Sequence, residues 1–208
     1  MRWPASKLKV AALASGRGSN LQALIDAASR PGAPFSMVAV ISDNPNAKAL
    51  ERARAAGVDA VLVERRNHAT RQLFDAALAE EARKRGADLV CLAGFMRLLS
   101  PSFLSGFRGR VINIHPALLP SFPGLDAQKQ ALDYGVKVTG CTVHFVDEGV
   151  DTGPIILQTP VMVEEGDTAQ TLSDRILEQE HLAYVKAVEL IATGKIEFPH
   201  PRLAGAGA

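Results

Sequence analysis

Short apolar runs alternate with longer amphipathic ones along the first half of this chain, and that rhythm constrains the fold more than any other feature. LKVAALA (8–14), FSMVAVIS (35–42), VDAVLVE (58–64), ADLVCLAG (87–94) and RVINIH (110–115) have the length and apolar continuity of strands covered on both faces. NLQALIDAA (20–28), AKALERARAAG (47–57) and TRQLFDAALAEEARKRG (70–86) carry apolar residues at helical spacing between them. Strand, helix, strand in regular succession predicts βαβ units on a parallel sheet wound in both directions. From Val136 the texture changes. VKVTGCTVHFVD (136–147) and PIILQTPVMVE (154–164) flank a Gly/Asp turn and predict an antiparallel pair extending the sheet, before a closing helix over 168–192. The expected class is α/β: a doubly wound, mostly parallel Rossmann-like sheet with an antiparallel C-terminal pair and a long last helix. Residues 1–197 are read as one domain, and the Pro- and Gly/Ala-containing stretch 198–208 as a flexible tail.

Composition excludes several partners. The 208 residues carry 23 basic against 22 acidic side chains, so no overall field draws the chain to nucleic acid or to an anionic membrane. No run is long and apolar enough to span a bilayer. Arg2, Lys7 and Lys9 precede an apolar stretch at Val10 to Ala14 that is too short for a signal peptide and leads into a glycine loop. A cytoplasmic protein is expected, monomeric or homodimeric, acting on small molecules. Cys91 and Cys141 stand in apolar runs without metal-site spacing and read as reduced, buried thiols.

In an open parallel sheet, ligands bind beyond the carboxyl ends of the strands, where strand order reverses. SGRGSN (15–20) follows the first strand and precedes a helix, so Gly18, Ser19 and Asn20 can offer free amides to an anion. Leu21 replaces the third glycine of GxGxxG and no GK[ST] follows, which favours a single phosphate monoester over a dinucleotide or triphosphate. A tight turn with Ser19 or Asn20 as helix cap fits the same residues.

INIHP (112–116) ends a strand with Asn113 and His115, which period two puts on one side. DEGVDTGP (147–154) holds Asp147, Glu148 and Asp151, and Gly153 with Pro154 stiffens the chain just after Asp151. On the last helix Leu172, Ile176, Tyr184 and Val188 step by four, and Glu180 fills the gap, facing either a ligand or solvent.

Together, SGRGSNLQALI (15–25), LAGFMRLLS (92–100), NIHPALLPSFPG (113–124), GCTVHFVDEGVDTGPIILQ (140–158) and EQEH (178–181) resemble the folate-dependent formyltransferases from about Lys9 to Thr193. SGRGSN and the short length are similar to the branch that formylates glycinamide ribonucleotide in purine synthesis. The resemblance implies that Asn113, His115 and Asp151 are catalytic. It implies that Gly18, Ser19 and Asn20 hold the ribonucleotide phosphate, and that Glu180 contacts the glycinamide substrate. Arg97, Leu98, Leu99, Asn113 and Asp147, with the 147–151 loop, then meet the folate. The co-substrate implied is 10-formyltetrahydrofolate, with no metal. Many relatives carry a histidine where this chain has Gln128, in a segment (123–132) that is a mobile loop in the family.

Such residues suit formyl transfer. An amine attacking the formyl carbon creates a negative oxygen that His115 and Asn113 can donate to, while the Asp151 charge favours an imidazolium and a carboxylate can relay the proton. Four alternatives use parts of the same set. Methionyl-tRNA formyltransferases share NIHP and DTGP but carry a further domain and need basic surface for tRNA. Formyl-tetrahydrofolate hydrolases use water as acceptor. A metal-dependent hydrolase would need His115, Asp151 and His144 together, and a nucleotide-monophosphate binding module would need only the 15–20 loop.

Overall fold

The computed structural model describes residues 7–196. The part of the tail expectation that falls on 198–208 lies outside the described residues. Strands β1 (Leu8–Leu13), β2 (Phe35–Ser42), β3 (Ala60–Leu62), β4 (Leu89–Leu92), β5 (Val111–His115), β6 (Val138–Phe145) and β7 (Ile155–Met162) form one sheet in the order β3-β2-β1-β4-β5-β6-β7. The first five pair in parallel, β6 runs antiparallel to β5, and β7 antiparallel to β6. Helices α1 (Ser19–Ala28), α2 (Lys48–Ala55), α3 (Arg71–Lys84), α4 (Pro101–Gly106), α5 (Ala127–Tyr134) and α6 (Ala169–Ala192) complete it. The α/β class, the two-way winding, the antiparallel pair and the closing helix all match the sequence reading.

Side-chain parity divides the interior in two. Leu8, Val10 and Ala12 of β1 pack with Leu21, Leu24, Leu50, Ile176, Tyr184 and Val188 on the side of α1, α2 and α6. Ala11 and Leu13 turn the other way, to Phe74, Leu78, Phe103 and Phe107 of α3 and the α4 region. Continuous apolar strands are thus used on both faces. Thr70 caps α3 by accepting from the Leu73 amide, and Thr168 with Thr171 forms a capping box that starts α6. Buried Leu172, Ile176, Tyr184 and Val188 bear out the four-residue stripe.

Strand order reverses between β1, whose neighbours β2 and β3 lie to one side, and β4 on the other. The loops leaving these two strands are stitched together. The Ser15 amide donates to the Gly94 carbonyl (3.0 Å), and the Met96 amide to Ser15 Oγ (3.1 Å). Two helices were not read from the sequence. Helix α4 is six residues long, too short for periodicity to register, and α5 occupies part of the 123–132 segment assigned to a loop by resemblance.

Candidate active site

Val111 of β5 packs on the α3 side of the sheet, so Asn113 and His115 take that same face at the strand's exit. Opposite them, β6 buries Cys141, Val143 and Phe145 on the far side, which turns Thr142 and His144 toward β5's polar pair. The register confirms the match, with Asn113 opposite His144 and His115 opposite Thr142. Because β6 is antiparallel, it ends beside Ile112 rather than at the His115 end. The 147–154 connection therefore does not leave at the edge where the parallel strands end. It folds back over the sheet face to deliver Asp151.

Asp151 adopts a left-handed backbone, φ 55°, a conformation that costs a residue with a side chain about 1–2 kcal/mol. Its Oδ2 lies 3.3 Å from His115 Nδ1 and accepts from the Gly124 amide at 2.9 Å, while Oδ1 lies 3.6 Å from His144 Nε2. Burial opposes ionisation here, yet the carboxyl is held below its usual range, with the Gly124 amide donating to it and the charge of His115 beside it. His115, almost wholly buried, places its Nε2 2.7 Å from the Phe122 carbonyl. A proton on each ring nitrogen satisfies both oxygens.

The chain leaving β5 is anchored from beneath. Thr142 Oγ1 donates to the Ala117 carbonyl (2.6 Å) and accepts from the Leu119 amide (3.0 Å), and Gln158 Nε2 reaches the Leu119 carbonyl (2.9 Å). This hub holds the root of the segment that presents Phe122 and Gly124.

Across the sheet, Gly18 occupies the N-cap of α1 in a left-handed conformation, φ 68°, and no side chain caps the helix. Ser19 and Asn20 are thus its first residues rather than its cap, and the first-turn amides remain open to an anion. Asn20 Nδ2 donates to Glu180 Oε2 at 2.7 Å, both side chains being buried. Of the two directions open to Glu180, solvent is excluded: α6 packs against α1, and the carboxyl lies buried beside Asn20. Burial raises its pKa to about 7 despite the Asn20 hydrogen bond.

Arg97 and Leu98 follow β4 and are exposed, whereas Leu99 is half-buried against the core on the α3 side of the sheet. Arg97 Nε bonds Asp43 Oδ2 (2.6 Å), and its guanidinium stands 5.9 Å from the Phe74 ring centre. Arg65, Arg71, Phe74, Asp75, Arg97 and Leu98 line a cavity of about 370 Å³ that Asn113, His115 and Asp151 do not reach. Asp147 ties its own loop, accepting from the Gly149 amide (3.1 Å) and Thr152 Oγ1 (2.7 Å). Among the described residues no group of three His, Cys, Asp or Glu side chains has an arrangement that could hold a metal ion.

The family model described as formyl transferase matches residues 8–188. The chain belongs to the formyl transferase family. This formyl transferase is 47% identical over 190 residues to the phosphoribosylglycinamide formyltransferase of Mycobacterium tuberculosis, covering 91% of this chain and 87% of that protein. It is 48% identical over 188 residues to the trifunctional purine biosynthetic protein adenosine-3 of Drosophila melanogaster, covering 89% of this chain but only 14% of that much longer relative. The solved glycinamide ribonucleotide transformylase 1 of Symbiobacterium toebii superimposes with a TM-score of 0.92 at 50% identity, over 96% of this chain and 94% of that one.

The structure thus brings Asn113, His115 and Asp151 together, and Asn20 to Glu180, while Arg97 to Leu99 stand apart at the β4 exit. Sequence reasoning missed His144 as a neighbour of Asn113, and Arg65 and Arg71 as cavity walls. His144 was findable, since it follows Thr142 by two in an otherwise apolar strand. The arginines carry no local signal, because the cavity is made by elements distant in sequence.

Proposed function

We propose that the chain transfers the formyl group of 10-formyltetrahydrofolate to the primary amine of glycinamide ribonucleotide, a step of purine synthesis, as a cytoplasmic enzyme. The observation that carries this reading is the convergence of Asn113, His115 and a strained, ionised Asp151 on one sheet face. The uncharged amine attacks the formyl carbon, a carbon–nitrogen bond forms, and the carbonyl oxygen becomes negative while the amine nitrogen becomes positive. His115 and Asn113 donate hydrogen bonds to that oxygen, and such a donor is worth about a hundred- to a thousandfold in rate. Asp151 takes the proton from the amine, directly or through water, and passes it to the folate nitrogen as the old carbon–nitrogen bond breaks. In the structure the His115 Nε2 proton is spent on the Phe122 carbonyl, so the reacting oxygen has to displace that contact.

Gly18, Ser19 and Asn20 at the open start of α1 hold the ribonucleotide phosphate, with Glu180 fixing Asn20 and contacting the glycinamide substrate. Arg97, Leu98, Leu99, Asn113 and Asp147 meet the folate. The adjoining cavity, walled by three arginines, suits the carboxylates of its glutamyl tail. The test is to supply both substrates and follow release of tetrahydrofolate. Release that requires the ribonucleotide supports the reading. Release without it makes water the acceptor, and no release removes formyl transfer altogether.

A further inference from the structure

We propose that His144 is a positioning residue for Asn113: held in one tautomer, it accepts one hydrogen of the Asn113 amide and so aims the other at the reacting oxygen. The inference rests on the formyl-transfer reading above. His144 Nδ1 lies 2.8 Å from the Phe145 carbonyl, and a carbonyl only accepts, so Nδ1 carries the proton. In the neutral ring Nε2 is then a bare acceptor. Two groups stand near it, Asn113 Nδ2 at 3.4 Å and Asp151 Oδ1 at 3.6 Å. The ionised carboxylate has no hydrogen to give, so the donor to Nε2 is the amide.

That contact decides something the strand geometry leaves open. The oxygen and the NH2 of an asparagine are nearly the same size, and only their partners distinguish the two orientations. Turned over, Asn113 would set its oxygen against the bare Nε2 and against no donor. Held as found, it keeps its NH2 in place, with a second hydrogen for the developing negative charge. The pairing is built into the sheet, because Asn113 and His144 are register partners and the His144 side chain is buried. Its anchor is guarded as well. A Cβ at Gly153 would come within 1.8 Å of the Phe145 carbonyl oxygen, so glycine at 153 lets that carbonyl stay where the ring needs it.

The test is a double-mutant cycle of His144→Leu and Asn113→Ala, with His144→Gln as the conservative variant and thermal melting as a check on folding. His144→Leu should lower kcat by about a hundredfold while both KM values stay within about twofold, because the lost interaction acts in the transition state. His144→Gln, whose amide oxygen can accept, should recover at least about tenfold of that loss. In the Asn113→Ala background His144→Leu should cost nothing more. If the leucine variant melts early, His144→Phe keeps the ring volume and completes the same cycle. The proposal is overturned if His144→Leu keeps wild-type kcat, or if its cost is the same with and without the Asn113 side chain. Wild-type protein that releases no tetrahydrofolate fails the formyl-transfer reading itself, before any variant is compared.

Discussion

Asp151 concentrates most of the site's chemistry in one residue: a left-handed backbone, one carboxylate oxygen toward His115 and the other toward His144. Asp151→Asn keeps the shape and removes the charge. We expect kcat to fall by about a hundred- to ten-thousandfold with little change in either KM, measured by steady-state kinetics, as for loss of a general acid–base group. A near-normal kcat would reduce the acidic loop to an ordinary turn. Glu180 is the opposite kind of carboxyl. Its folded pKa, about 7, lies above its ordinary 4.5, so its contribution to stability is complete below 4.5 and is lost as pH rises toward 7. Glu180→Gln keeps a partner for Asn20 and cannot ionise. Relative to wild type, this variant should gain up to about 3 kcal/mol between pH 4.5 and pH 8 by chemical denaturation, and a pH-independent difference would refute the buried-carboxyl account.

At the scale of elements, two glycines set the shape of the site. Gly153 packs its backbone on the Phe145 carbonyl, closing the turn that folds Asp151 back over β5. Gly153→Ala should cost about 1–3 kcal/mol in stability, as overpacking does, and lower kcat further than the same loss of stability elsewhere; melting and kinetics on one preparation separate the two effects. Gly18 starts α1 with φ 68°, and a Cβ there would press on Ala49 of α2 at 3.1 Å. Gly18→Ala should therefore both lower the melting temperature and raise the ribonucleotide KM well above any rise in the folate KM. Equal rises would remove the phosphate role from the start of α1.

Over the whole molecule, pH acts on stability from two directions. Hydrogen bonds from Arg175, the Glu164 amide and Thr171 hold the Asp167 carboxyl well below its ordinary value at the start of α6, and Asp151 is depressed too. Groups of that kind stabilise above their unfolded pKa and lose their contribution as pH falls through the folded one. Glu180 does the reverse. Comparing Asp167→Asn with wild type should show a melting deficit present at pH 5 that closes as the solution is acidified below the carboxylate range. A deficit that persists at the lowest pH would mean that the Asn side chain disrupts packing rather than removing a charge.

Much of this was legible in the chain itself. Strands and helices with strong periodicity, the shared side of Asn113 and His115, and the glycine loop ahead of a helix all follow from repeats of two or 3.6 residues, which are local. Helix α4 was too short to leave such a repeat. Other features needed the tertiary structure. The antiparallel register set His144 against Asn113 and made the 147–154 turn double back; packing of α6 on α1 buried Glu180 beside Asn20; and Arg65, Arg71 and Arg97 met around one cavity only when α3 lay beside the β4 exit. Backbone geometry repeats within a few residues and is written locally, whereas the burial and partners of a polar side chain depend on which distant segment the sheet brings to it.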